Sequence, residues 1–161
     1  MKLTIEHLKG YLGTELKIQN SLGDILELTG IMNETYFVKG NSRTPYGDIQ
    51  DCKPLLYPLS TLTEFREDLG FVPIEQLAKM SCSLDFDDLN VRNDWNGRYG
   101  VFSVQFRRGS HFYEFKYDSK KQSFKAFTDT NHLQLFQKLY EWNIDIHGLI
   151  EQGLAIDKSK L

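Results

Sequence analysis

Between Leu84 and Thr128 the chain reads LDFDDLNVRNDWNGRYGVFSVQFRRGSHFYEFKYDSKKQSFKAFT, apolar and polar residues in alternation, broken by turn signals. Alternation of period two belongs to strands that bury one face. Asn96-Gly97 suits a type I′ hairpin turn, which needs positive φ at both central positions. Arg108-Gly109 and Ser119-Lys120 are further two-residue turn candidates at matching spacing. With these turns Phe106 faces His111, Val104 faces Tyr113, Phe102 faces Phe115, and Phe115 faces Phe124. Val91 and Leu89 then face Phe102 and Val104 on the same side. The opposite side carries Asn90, Arg92, Ser103, Gln105, Glu114, Lys116, Ser123 and Lys125, with Glu114 across from Lys125. A slip of one residue would swap the two sides, so the agreement specifies a four-stranded antiparallel meander with one buried face. Leu84 and Phe86 are out of phase with Leu89 and Val91, which a bulge near Asp87-Asp88 repairs.

Phe112 and Phe127 break the pattern. They are expected opposite each other on the polar side, with Val101 near them. Paired aromatics among polar neighbours need a cover, either another part of the chain or a second molecule. On the second reading, Phe112, Phe127, Lys116 and Lys125 form a partner-binding surface. Trp95, next to the Asn96-Gly97 turn, either folds back over the sheet end or stays exposed as a partner anchor.

Charge is divided unevenly. Residues 1–97 carry 9 basic and 15 acidic side chains, whereas residues 98–127 carry 7 basic and 2 acidic. A basic segment in an acidic chain suggests an anionic partner, nucleic acid included. The expected register, however, places Arg107 and Arg108 at one end of the meander and Lys120 and Lys121 at the other. A solvated surface and an anion-binding site both fit that arrangement.

The N-terminal part supports a small sheet. Thr4 caps a short helix whose inner side is Ile5, Leu8 and Leu12, and Gly13 ends it. Strands are expected at Glu15–Gln19, Ile25–Ile31 and Tyr36–Lys39, with a fourth at Ile49–Cys52 after an exposed Gly40–Gly47 loop. A helix with several short strands implies a small curled antiparallel sheet or an SH3-like barrel. Lys53–Ser60, held extended by Pro54 and Pro58, is the expected boundary. The expected fold class is therefore α+β. It has a barrel-like subdomain over 1–53 and a helix-covered meander subdomain over 54–161, packed as one unit. Covering helices are expected from Thr61 to Leu69, over Ile74–Met80 with Ile74, Leu77 and Ala78 inward, and over His132–Trp142. In the last, Leu133, Phe136, Leu139 and Tyr140 face inward, and Asp145 caps a further short helix.

The N-terminus lacks an apolar signal region and no stretch is long and apolar enough for a membrane helix, so a cytoplasmic protein with no membrane partner is expected. Cys52 and Cys82 lack metal-ligand spacing and read as buried thiols. No phosphate-binding loop, nucleophile elbow, zinc spacing or His-Glu helix motif occurs. Asp85, Asp87 and Asp88 are the densest acidic group: a solvated strand end, or a weak divalent-metal candidate on which a hydrolase would have to be built. His7, His111, His132 and His147 are scattered, and no catalytic residue or cofactor is assigned.

LYEWNIDIHGLIEQGLAID at Leu139–Asp157 resembles the C-terminal signature of a family of small, uncharacterised proteins encoded by phages and prophages of gut Bacteroidetes. KLTIEHLKGYL at Lys2–Leu12, CKPLLYPLSTLTE at Cys52–Glu64 and FVPIEQL at Phe71–Leu77 resemble its other shared segments. Asn143, Ile144 and His147 depart from the residues often found there. The resemblance implies a mobile-element accessory protein and supplies no catalytic residues. The expectation is a non-enzymatic interaction module with a protein partner. The alternatives are a nucleic-acid binder using the barrel and basic turns, and a virion or oligomer component.

Overall fold

The computed structural model describes residues 2–39, 45–81, 100–108, 111–126 and 131–161; for 106–108 and 111–113 it describes the backbone alone. The chain is mixed α and β and forms two compact units, Met1–Pro58 with Leu139–Leu161, and Leu59–Lys138.

The first unit opens with helix α1 (Ile5–Leu8) and a 3-10 turn over Lys9–Tyr11. The tighter winding changes the inner face. Leu8 and Tyr11 are buried, whereas Ile5 and Leu12, both expected inside, are partly exposed. Gly13 leaves the turn at φ 82°, as a helix stop should. Strands β1 (Lys17–Gln19), β2 (Ile25–Met32), β3 (Thr35–Val38) and β4 (Tyr46–Asp48) follow. Then come β5 (Lys53–Leu56) and, from the C-terminal end, β9 (Ile156–Asp157). They make one sheet in the order β4-β3-β2-β1-β5-β9, antiparallel except for β5 and β9. No pairing among the described residues closes it into a barrel.

Two segments differ from expectation. Ile49–Asp51 is a 3-10 turn rather than a strand, because Asp48 accepts the Gln50 N–H and starts a turn there; the strand is the preceding Tyr46–Asp48. Lys53–Leu56, expected as a boundary, is an interior strand between β1 and β9. Pro54 is tolerated because β9 joins β5 only from Leu55 onward, so one side of Pro54 behaves as a sheet edge.

Leu8, Tyr11, Leu16, Ile18, Leu28, Tyr36, Ile49, Leu56 and Leu149 form the core of this unit. The C-terminal segment is fastened to it by backbone and side chain. Tyr57 N–H donates to Asn143 O and Asp145 N–H to Tyr57 O, both at 2.8 Å. The buried Tyr11 hydroxyl donates to Ile144 O at 2.6 Å. The Tyr11 and Tyr140 rings meet edge to face at 4.8 Å, and the Tyr140 ring lies flush on Gly10.

In the second unit, α2 (Pro73–Ser81) buries Ile74, Leu77 and Ala78, as its spacing requires. The helix expected from Thr61 to Leu69 is absent. A 3-10 turn (Leu59–Thr63) is followed by a reversal in which Arg66 N–H donates to Phe71 O around Gly70. The Arg66 guanidinium grips Asp68 through Nε at 2.9 Å and Nη2 at 2.5 Å within this reversal.

The meander strands β6 (Val101–Arg108), β7 (His111–Asp118) and β8 (Ser123–Lys125) form an antiparallel sheet. The expected preceding strand and the Asn96-Gly97 turn lie outside the described residues. Both hairpins are displaced by two residues. Val104 faces Phe115, Phe102 faces Tyr117, and Tyr117 faces Phe124. The second displacement has a clear cause: Asp118 accepts the N–H groups of Lys120 and Lys121, and Gln122 takes φ 46°, which makes a four-residue turn. A shift of two keeps every side chain on its face, so Phe102, Val104, Phe115 and Phe124 are buried as expected, joined by Tyr117. Phe136 and His132 of α3 (His132–Glu141) pack edge-on against Phe124. Leu135, not Leu133, faces inward from this helix, and Leu133 is 76% exposed. Of the helical positions, 135 and 139 share the inner side because they are four apart.

A Cβ on Gly10 would collide with the Tyr140 ring, whereas one on Gly30 meets no atom within 4 Å. Gly10→Ala is expected to lower stability by about 1–3 kcal/mol. Gly30→Ala should be close to neutral or slightly stabilising. Urea denaturation of the two variants checks this pair.

Candidate interaction surface

The sites expected from the meander are only partly described. Trp95, Phe127, Asp85, Asp87 and Asp88 lie outside the described residues, as do the side chains of Phe112, Arg107 and Arg108. The backbone places Arg107 opposite Phe112 at the β6–β7 end of the sheet. Lys120 and Lys121 belong to the turn at the other end, about 20–25 Å away for strands of this length. Lys121 forms a 3.8 Å ion pair with Asp118, the carboxylate that also shapes the turn. Lys116 lies opposite Lys125 and pairs with Glu114 at 2.9 Å. The expected Glu114–Lys125 pairing is replaced by Lys116 opposite Lys125, a consequence of the displaced β7–β8 hairpin, while on its β6 side Glu114 lies opposite Gln105. Ser103, expected on an open face, is 5% exposed.

A different surface emerges from β2, β3 and β4. Tyr36 and Val38 point into the core. Thr35 and Phe37 must then point outward, since side chains alternate along a strand. Phe37 is flanked by Gly30 on β2 and Tyr46 on β4, and Met32 by Thr35 and then Asp48. The bare Gly30 leaves one flank of Phe37 open, and the Phe37 and Tyr46 rings lie 6.4 Å apart. Tyr46 is 62% exposed and Met32 60%. Beyond the aromatic row, Lys39 and Glu27 form an ion pair at 3.2 Å. β4 is an edge of the sheet, three residues long. Near it Glu34, Asp48 and Asp51 are exposed. The surface is apolar and aromatic, with an acidic border and a strand edge.

The sequence hides this surface because Tyr46 lies in the Gly40–Gly47 stretch, whose Gly, Asn, Ser and Pro read as a loop. The signal was present: Tyr36-Phe37 and Tyr46-Gly47 lie on either side of a turn-rich stretch. Gly47 is the residue that lets Tyr36 pass beneath β4, since a Cβ there would stand 2.7 Å from the Tyr36 hydroxyl.

Chemistry-bearing groups elsewhere in this unit are held in inert states. Cys52 is buried, and its thiol, donating to Ile49 O at 3.4 Å, has its pKa pushed up to about 12 by burial. It borders a half-open cleft of about 330 Å³ whose rim includes Gln19, Ser21, Gln50, Asp51 and Lys53. Asp145 is 3% exposed and accepts the N–H groups of Leu149 and Ile150, both at 2.8 Å. It caps a run of turns rather than the short helix expected there. Burial raises its pKa, against the lowering effect of those two hydrogen bonds. Among the described residues no group of three or more His, Cys, Asp or Glu is placed to hold a metal ion. No helix among them is long and apolar enough to cross a membrane.

Comparison of the chain with protein-family models, with curated proteins and with solved structures returned no match in any of the three. What the chain does is therefore argued from its own residues.

The thiol of Cys52 should resist alkylation. With iodoacetamide at pH 8, peptide mass mapping is expected to find Cys52 unlabelled in native protein and fully labelled in denaturant, because only the thiolate reacts. Asp145→Ala leaves two buried or half-buried backbone donors unanswered and is expected to cost about 1–3 kcal/mol in the same urea assay.

Proposed function

We propose that the chain is a non-enzymatic interaction module of a phage or prophage, and that it binds an extended segment of a protein partner along β4. The observation that carries this reading is the exposed Met32 and Tyr46 and the half-buried Phe37 beside β4, which pairs on one side only among the described strands. An added strand gains affinity from main-chain hydrogen bonds and specificity from alternate side chains. Tyr46 and Asp48 are two apart and share the outer face. The segment that fits has an apolar side chain beside Tyr46 and a Lys or Arg two positions along, beside Asp48. Glu34 and Asp51 extend the same preference for positive charge.

The nucleic-acid alternative has less support. Its two basic clusters lie at opposite ends of the meander, and Lys121 is already answered by Asp118. An acidic border around the aromatic face also repels phosphate.

An array of random heptapeptides probed with the full chain tests the proposal. Peptides alternating apolar and basic residues should be selected. Tyr46→Ser should weaken their binding by tenfold or more, as loss of a central aromatic anchor does, and Asp48→Lys should reverse the charge preference. No enrichment, or enrichment unchanged in Tyr46→Ser, would overturn it. Binding to single-stranded DNA that weakens steeply with salt would favour the alternative.

A further inference from the structure

His7 and His147 come from opposite ends of the sequence and meet edge to face, with ring centroids 5.6 Å apart at 67°. The hydrogen bonding around each ring bears on where a further proton could go. The His7 Nδ1 receives the Thr4 backbone N–H at 3.1 Å, with the Thr4 hydroxyl at 3.0 Å. A backbone N–H can only donate, so neutral His7 carries its proton on Nε2. Protonating Nδ1 would set donor against donor and undo this half of the α1 cap. In His147, Nε2 is buried and has no hydrogen-bond partner among the described residues. A proton added there finds no acceptor.

The neighbouring groups do not relieve this. From α1, Glu6 and Lys9 are paired with each other on the exposed side. From the C-terminal segment, Asp145 is committed to the Leu149 and Ile150 N–H groups, and Glu151 is exposed. From α3, Tyr140 lies 6.3 Å from the His147 ring, and burial favours its neutral phenol. Among the described residues no ion pair reaches either imidazole.

We propose that His7 and His147 form an acid-sensitive latch, in which protonation of the pair releases α1 from the C-terminal segment. The sign is consistent with the environment of His147, whose pKa is lowered first by burial, then by His7, with Asp145 acting in the opposite sense. A histidine whose folded pKa lies below its unfolded value of 6.5 contributes stability that is present above pH 6.5 and lost as pH falls through the folded value. Asp145, with its raised pKa, acts in the reverse direction, so the latch is isolated by varying the histidines alone.

Hydrogen–deuterium exchange of the full chain at pH 7.4 and 5.5, corrected for intrinsic rates, provides the test. Protection in 2–12 and 139–161 should fall together, by up to about tenfold per pH unit for each proton taken up. His147→Phe keeps the ring and removes the buried nitrogen. His7→Gln keeps a side chain able to answer the Thr4 N–H, as in an ordinary capping box. The double variant should lose the pH dependence and keep protection at pH 7.4. Where a variant folds poorly, an NMR titration of the wild-type His147 imidazole Cε1–H signal decides: it should titrate below the ordinary imidazole value of 6.5. Titration of His147 at or above that value, or unchanged pH dependence in the double variant, overturns the latch.

Discussion

A buried carboxylate that no ion pair reaches among the described residues organises the first unit. Asp145 is shielded from water, yet its two oxygens are each engaged by a backbone N–H. A carboxylate in that position is costly unless its hydrogen bonds are kept, and those bonds exist only while the segment after it stays coiled over Leu149. Leu149 is itself fully buried. The same residues present Asn143 O and Asp145 N–H to Tyr57, just beyond β5. The chain can then bring Ile156 beside Leu55 as a parallel strand, an arrangement that needs a long excursion between the partners. Asp145 thus couples a local turn to the closing of a sheet whose other strands all lie before residue 57.

This coupling gives a physical meaning to the residues of the C-terminal segment Leu139–Asp157. Tyr140 packs on Gly10 and Tyr11, Asp145 caps, Leu149 fills the core, and Gly148 and Gly153 take left-handed conformations at φ 67° and 71°. Each has a structural task within the first unit. The segments Lys2–Leu12 and Leu139–Asp157 touch through Tyr11, Tyr140 and the histidine pair. At His147 a buried nitrogen has no hydrogen-bond partner among the described residues.

Much of the fold was legible where a pattern had one physical solution. The buried side of the meander survived a wrong register because face depends on parity alone, and both errors were even. The missing information was the turn chemistry of Asp118, which extended the loop. The inner face of α2 was legible from spacing, whereas α3 offered two overlapping apolar sets, and the one containing Leu135 prevailed. The strand at Lys53–Leu56 was hidden by Pro54, whose cost depends on where β9 begins, and that is a fact of tertiary structure. The helix after Thr61 had a sound capping signal, but the chain reverses there and holds the Arg66–Asp68 fork, which no propensity scale registers. The candidate surface was hidden for a related reason: Tyr46 looks like a loop residue until β3 is seen to pair with it.

An aromatic face beside an edge that pairs on one side only among the described strands would ordinarily invite self-association. Three features of β4 oppose that here. It is only three residues long, so a partner strand gains few main-chain bonds from it alone. Its outward side chains are one aromatic and one acid, and Glu34 and Asp51 lie close by. A second copy of this chain would bring its own acids to the same border, and like charges facing each other across strands are destabilising. A basic segment meets no such penalty, and Tyr46 with Phe37 supplies apolar contact that the short ladder lacks. The same charges that keep the edge from pairing with itself therefore set the chemistry of the partner proposed for it.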